Sequence, residues 1–357
     1  MDFALTSEQE LLRDGLCKFL AARYRLESSR AAAKTGAGWQ PDIWRGFAEE
    51  LGILGATLPE SAGGSGGGPV EAMVIAEELG RALVIEPWID TVVVAGGLLQ
   101  RAGGQAATEV LGRIADGSAI IALASDATST NAVRDGQHWV LTGSPAVVMD
   151  APIATHLLIA ATTGDRVGLF LTASDVPMHA YRTVDDRRAA DLVLNGLRLP
   201  ADALIDPDAA ASLERARDEG AAAVCAEAVG AMRRVLDDTV EYTKQRQQFG
   251  QPIGSFQVLQ HRMVDMYMEL EQAVAAAYLA TLKLGEEPAL RARAVSAAKA
   301  TVGRAARFVG QNAVQLHGGM GMTEELAIGH YFKRLTALQY EFGSTDFHRA
   351  RYAELTR

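Results

Sequence analysis

The sequence predicts a mainly α protein with a β domain set between two helical ones. Three observations carry the prediction. Apolar residues recur at helical spacing from Ser7 to about Ala115; short apolar or alternating runs replace them after Gly117; the helical period then returns from about Ala209 and holds almost to the end. The changes of period set the boundaries: an N-terminal helical domain at 1–116, a middle antiparallel β-barrel or sandwich at 117–208, and a C-terminal four-helix bundle at 209–357.

Each element has its own signal. Ser7 with Glu10 forms a capping box ahead of "SEQELLRDGLCKFLAARY", where Leu12, Leu16 and Phe19 share an apolar face. "PDIWRGFAEELGILGA" reads as a second helix, with Pro41 in the first turn and Gly52 as its stop. A glycine-rich connector at 63–68 leads through Pro69 into a helix ending near Leu83, and helix continues through "TVVVAGGLLQ" and "AATEVLGRIADG". The runs "AIIALAS", "HWVLTG", "THLLIAATT", "VGLFLTA" and "DLVLNGLRL" are strands by length and by their Gly, Asp and Pro boundaries. Two long helices, 212–246 and 255–284, are broken at "FGQPIG" and "GEEP"; another break falls at "HGGMGMTEE", where Thr323 is placed to cap the next helix.

Composition narrows the function classes. The chain has 357 residues, 48% hydrophobic and 22% charged, enough to bury a large core. Its net charge of −10 comes without a basic block, which argues against nucleic acid. The start "MDFALTSEQELL" lacks the pattern of a signal peptide, and no apolar run of about 18 residues suggests a membrane span, so a cytoplasmic location is expected. Cys17 and Cys225 read as buried small hydrophobes in a reducing compartment. Met263, Met266 and Met268 read as core packing.

Common motifs are absent. The glycines at 63–68 lack the G-x-G-x-x-G spacing and have neither a preceding strand nor a following Lys-Ser/Thr. The seven histidines show no metal-ligand spacing, and there is no G-x-S-x-G elbow. Two C-terminal stretches carry more. In "EYTKQRQQFGQPIGSFQVLQHRMVDM", Arg246 stands at a helix end beside a Phe-Gly break, where a guanidinium fork suits a pyrophosphate and also suits a solvated helix end. In "AVQLHGGMGMTEELAIGHYFKRL", Gln315 and His317 precede Gly318 and Gly319, where a ligand can approach the backbone closely or a plain turn can form.

Taken together, these two stretches closely resemble the acyl-CoA dehydrogenase family, and the helix–strand–helix order extends the resemblance over essentially the whole chain. "MTEELAIGHYFKRLTAL" before "FGSTDFHRAR" is most similar to the small subunits of bacterial pimeloyl-CoA dehydrogenases. The resemblance implies a tetramer, homomeric or built with a larger paralogous subunit, in which neighbouring subunits share each FAD. It implies that Arg246 contacts the FAD pyrophosphate across the dimer interface and Phe249 the adenine end. Gln257 lies in the helix that supports that contact, while Gln315, Gly318 and Gly319 meet the adenosine diphosphate of a neighbouring flavin. Trp139 and Thr142 match a middle-domain strand at the isoalloxazine, and Thr345 is a further cofactor-binding candidate. Two departures stand out: Pro145 replaces a usual lysine, and the "T-E-P-x-x-G-S-D" loop is reduced to "ASDATSTNA", where Ser125, Thr128 or Ser129 would supply hydroxyls.

The reaction implied is α,β-dehydrogenation of an acyl-CoA thioester, a carboxylate taking the α-proton and flavin the β-hydride, with electrons passing to an electron-transfer flavoprotein. The base is where the chain departs most. The usual family pattern is Tyr-Glu-Gly-Thr, whereas this chain reads Tyr340-Glu341-Phe342-Gly343-Ser344-Thr345. The base position falls on Phe342, and Glu341 is one residue early, about 100° round on a helix. The family's alternative position falls on Gly220, with Glu219 and Asp218 just before it. Glu341 and, behind it, Glu219 are the candidate bases. The competing readings are a subunit that completes a partner's flavin site without its own base, and a flavin oxidase or monooxygenase of the same fold.

Overall fold

The computed structural model describes residues 4–357, which form eleven α-helices and twelve strands. The helices before the strands are α1 (Ser7–Arg23), α2 (Leu26–Thr35), α3 (Pro41–Glu49), α4 (Pro69–Arg81), α5 (Gly96–Ala102) and α6 (Gly104–Ala115). After the strands come α7 (Ala210–Gln245), α8 (Gln257–Leu282), α9 (Pro288–His317), α10 (Ala327–Leu338) and α11 (Thr345–Leu355). Strands β1 (Ile121–Ala124), β2 (Thr130–Asp135), β3 (His138–Gly143), β4 (Val148–Met149), β5 (His156–Thr163) and β6 (Arg166–Ala173) lead into β7 (Met178–Arg182), β8 (Arg188–Leu192), β9 (Leu194–Pro200) and β10 (Leu204–Asp206). A hairpin of β11 (Gln247–Gln248) and β12 (Gln251–Pro252) joins α7 to α8.

Two compact units emerge, and they interleave along the chain. One takes the chain up to Leu26, Pro69–Val84 and Ala221–Arg357; the other takes Glu27–Gly68 and Ile85–Gly220. The helices of the first 116 residues are therefore divided between them, because α1 and α4 pack on each other while α3, α5 and α6 lie with the strands.

In the helical unit, α9 supplies a buried seam of Val295, Val302, Val309 and Leu316, repeating every seven residues as helix-on-helix packing requires. Glycines set the α4–α7 crossing. A Cβ at Gly80 would fall on the backbone carbonyl of Glu227, and one at Gly230 on that of Glu77. The second unit is built on a sheet ordered β10-β6-β5-β2-β3-β9, and β4-β8-β7 form a separate three-stranded sheet. Between them lies a core of Leu141, Leu157, Ile159, Phe170, Leu192 and Leu194.

Several expectations are corrected. The first capping box uses Thr6 and Gln9, one residue earlier than Ser7 and Glu10. T-x-x-Q and S-x-x-E both fit the pattern, and the Gln9 amide also binds Glu71 at 2.7 Å. The glycine-rich connector is a hydrogen-bonded turn: Ser65, Gly66 and Gly67 donate to the carbonyls of Gly55, Leu58 and Ala56, leaving no N–H row for a phosphate. Thr323 caps nothing; its hydroxyl donates to the Met320 carbonyl, and α10 begins at Ala327. The sheet is not wholly antiparallel, since β1 runs parallel to β5. Cys225 is buried as expected, whereas Cys17 is only partly buried and its thiol donates to Glu78 at 2.9 Å; desolvation raises both thiols to about 12. Of the three methionines, Met266 is fully buried, whereas Met268 is half exposed.

Candidate functional site

Both candidate bases are held by arginines. Glu341 follows α10 and sits against Arg334 of that helix, whose Nη2 lies 3.1 Å from Glu341 Oε2. The same guanidinium donates through Nε and Nη2 to Glu227 of α7, at 2.7 and 2.8 Å. Arg334 is 3% exposed and Glu227 4%, so this pair is desolvated, whereas Glu341 at 17% keeps some contact with solvent. Glu219, in the other unit, receives Arg101 Nη1 on both carboxylate oxygens, at 3.0 and 2.9 Å, and Arg215 Nε at 2.9 Å. A general base must present a free lone pair to a carbon-bound proton. Here each oxygen of both carboxylates already accepts at least one charge-assisted hydrogen bond, which aims the two groups at arginines. Asp218, beside Glu219, is fully buried.

The turn that carries Glu341 is fixed from three sides. Phe342 has φ +55°, in the left-handed region, and Gly343 follows at φ +116°. Lys299 of α9, also buried, donates to the carbonyls of Leu338, Gln339 and Gly343 at 2.8, 3.2 and 3.0 Å. Those bonds use all three ammonium hydrogens, so the amine offers none to the small cavity lined by Val224, Ala228, Val302 and Ala306 beside it. Burial pulls the Lys299 amine below the ordinary lysine range. A fully buried His348 links Ser296 to the Phe342 carbonyl through its two ring nitrogens, at 3.2 and 3.1 Å. Thr345, the first residue of α11, turns its hydroxyl onto α9, where a Cβ on Gly303 would clash with it.

The dinucleotide candidates are placed differently. Arg246 leaves the end of α7 exposed, and its guanidinium makes no bond among the described residues. Phe249, at φ +57° on the hairpin tip, is 90% exposed. Gln257 opens α8 and Gln315 lies in the last turn of α9; both side chains are exposed. Gly318, at φ +59°, and Gly319 face open space. The structure brings the two stretches together: the Tyr242 ring stacks on His317 with centroids 4.2 Å apart, and its hydroxyl donates to the His317 carbonyl at 3.3 Å. An unpaired guanidinium, free carboxamides and uncrowded glycines form a donor set suited to a pyrophosphate.

The middle-domain candidates fare less well. Trp139 and Thr142 lie three residues apart on β3, so alternation puts them on opposite faces. Trp139 packs on the strand core, edge-on to Phe170 at 5.5 Å, with Arg134 over its ring; Thr142 is exposed. No regular strand lets the pair flank one ring system. The shortened loop is self-contained: Asp126 accepts the Thr128 hydroxyl at 2.6 Å on its side chain and the Ser129 hydroxyl at 2.6 Å on its carbonyl, leaving Ser125 exposed. Sequence reading missed Val147, a β-branched residue at φ +54° and 60% exposed. Its N–H donates to Asp191 at 2.9 Å, as does the Tyr181 hydroxyl. That backbone bond and hydroxyl hold the Asp191 carboxyl below its ordinary range. Nothing in the sequence marks a positive φ at valine. Tyr242 was also missed, although it lies one helical turn before Arg246.

With this geometry in view, the comparisons place the chain. The N-terminal domain of acyl-CoA dehydrogenase matches residues 6–118, and its C-terminal domain matches 212–355. Acyl-CoA dehydrogenase IpdE2 of Mycolicibacterium smegmatis is 32% identical over 330 residues, spanning 92% of this chain and 93% of that protein. IpdE2 of Mycobacterium tuberculosis is 33% identical over 327 residues, spanning 92% and 90%. Among solved structures, the ChsE4-ChsE5 complex from Mycobacterium tuberculosis superposes with a TM-score of 0.92 at 27% identity, covering 99% of this chain and 98% of its counterpart. The chain belongs to the acyl-CoA dehydrogenase family. Among the described residues, no helix is long and apolar enough to cross a membrane, and no cluster of side chains could hold a metal ion.

Proposed function

We propose that this chain is one subunit of a heteromeric FAD-dependent acyl-CoA dehydrogenase. It contributes the binding face for the adenosine diphosphate half of a shared flavin, and a larger paralogous chain contributes the catalytic base. The observation that carries this reading is the ion pairing of both near-miss carboxylates, Glu341 with Arg334 and Glu219 with Arg101 and Arg215. The shortened loop at Asp126 supports it, and so does the likeness to a solved two-protein complex.

FAD, when bound, supplies the hydride acceptor for α,β-dehydrogenation of an acyl-CoA, and an electron-transfer flavoprotein is the expected oxidant of the reduced enzyme. The chain's own part is recognition. With the flavin bound, the Arg246 guanidinium would hold phosphate oxygens, the Gln315 carboxamide and the Gly319 backbone would lie on the same face, and Phe249 would meet the adenine, while the Gly318 N–H stays on the Gln315 carbonyl. Gln257 opens α8, the helix that follows the Arg246 hairpin. Thr345 braces α11 against α9, close to the turn where the family base would stand.

Purification with and without the paralogous chain tests this reading. The chain alone should give no bleaching of flavin absorbance when mixed anaerobically with saturated acyl-CoA thioesters. The two chains together should give a yellow tetramer that bleaches. A yellow homotetramer of this chain that bleaches unaided would refute the assignment.

A further inference from the structure

We infer that Tyr242 and His317 are positioning residues that set the distance between the Arg246 cation and the Gln315–Gly319 donors, and so tune affinity for the adenosine diphosphate half of a dinucleotide. The inference rests on the flavin reading above and adds a contact between the two sequence motifs that neither shows alone. Tyr242 lies four residues before Arg246, so both stand on the same side of the α7 end. His317 is the last residue of α9, immediately before Gly318 at φ +59°.

Two contacts join these helix ends. The rings stack at 4.2 Å with 26° between planes, and the Tyr242 hydroxyl reaches the His317 carbonyl at 3.3 Å. Further bonds fix each side. The His317 imidazole donates from Nδ1 to the Ala313 carbonyl at 2.8 Å, which sets its tautomer and its ring plane. On the other side, the Arg246 N–H donates to the Tyr242 carbonyl at 2.8 Å, and the Ile253 N–H donates to the Arg246 carbonyl at 2.8 Å, tying the hairpin to the same turn. The stacked pair thus joins the helix end that carries Arg246 to the helix end that leads into Gly318. The polar groups beyond it are left for a ligand. A pyrophosphate gripped from two elements at once is sensitive to their separation, because hydrogen bonds weaken steeply once distance and angle slip.

The experiment uses the protein in its native assembly. FAD and ADP affinities are measured by calorimetry for the wild type and for Tyr242→Phe, Tyr242→Leu and Arg246→Met. Phenylalanine keeps the stack and loses only the hydroxyl bond; leucine loses the stack. Tyr242→Leu should weaken FAD and ADP together by about tenfold, while Tyr242→Phe stays within about threefold of wild type. FMN, which lacks the adenylate half, should be unaffected by either. Affinity loss confined to the dinucleotides and rescued by the aromatic variant is not what general destabilisation would give. If Arg246→Met weakens FAD and Tyr242→Leu does not, the positioning role is overturned while the flavin reading survives. If neither variant weakens FAD, both fall. Should Tyr242→Leu fail to fold, His317→Phe against His317→Leu repeats the contrast from the other ring.

Discussion

At the residue scale, the account depends on what surrounds each carboxylate. Arg334 lies between Glu227 and Glu341, and removing it would leave two acids with one buried carboxylate uncompensated. Arg334→Met should therefore cost about 3–5 kcal/mol of stability, read as a lower denaturant midpoint. Glu341→Gln keeps the shape and one acceptor, so the loss should be smaller. Lys299→Met strips three backbone carbonyls of their donor and should destabilise by about 1–3 kcal/mol or more. His317 supplies a pH dependence. Burial lowers its pKa below the ordinary 6.5. As the pH falls through 6.5, the unfolded chain takes up a proton that the folded chain refuses, and stability should fall, the loss being complete below the folded value. His317→Gln should flatten that part of the profile, leaving a slope of the same sign from His156, whose pKa is lowered mainly by burial. Urea midpoints at pH 7.5 and 5.5, for wild type and variant, check this.

At the element scale, close approach does what larger side chains cannot. Gly230→Ala would press a methyl onto the Glu77 carbonyl and force α4 and α7 apart. It should cost about 1–3 kcal/mol by overpacking, measured by chemical denaturation. The long helices α7, α8 and α9 were legible in the sequence because their apolar period runs uninterrupted for many turns. So were β3, β5 and β6, whose buried alternation or continuous apolar runs declare them. Strands β2, β4, β7 and β10 were not, because they are short, polar or at a sheet edge, and tertiary pairing rather than propensity forms them. Helix α2, "LESSRAAAKT", carries too few apolar residues to show a face. The parallel pairing of β1 with β5 leaves no mark in either strand.

At the scale of the whole molecule, the donor face and the two locked carboxylates point the same way. The motifs around Arg246 and Gly318 were readable because they hold unusual residues at helix breaks. The pairing of both carboxylates was only half readable, as a displacement by one residue at Glu341 and at Glu219; Arg101 reaches Glu219 from 118 residues away, whereas Arg215 and Arg334 lie four and seven residues from the acids they hold, on helices where nothing in the sequence marks the pairing. If base and flavin face belong to different chains, activity should require both and saturate at one copy of this chain per partner when the partner is titrated with it.

The central claim is that this chain completes a flavin site without supplying the base. Its most direct test is the rate of flavin reduction when the assembled enzyme carrying Glu341→Gln is mixed anaerobically with its acyl-CoA. The account predicts a rate within about twofold of wild type, since a side chain committed to Arg334 takes no proton in the reaction. A fall of about 10²-fold or more, the scale expected when a general base is removed, would contradict it and return Glu341 to the catalytic role.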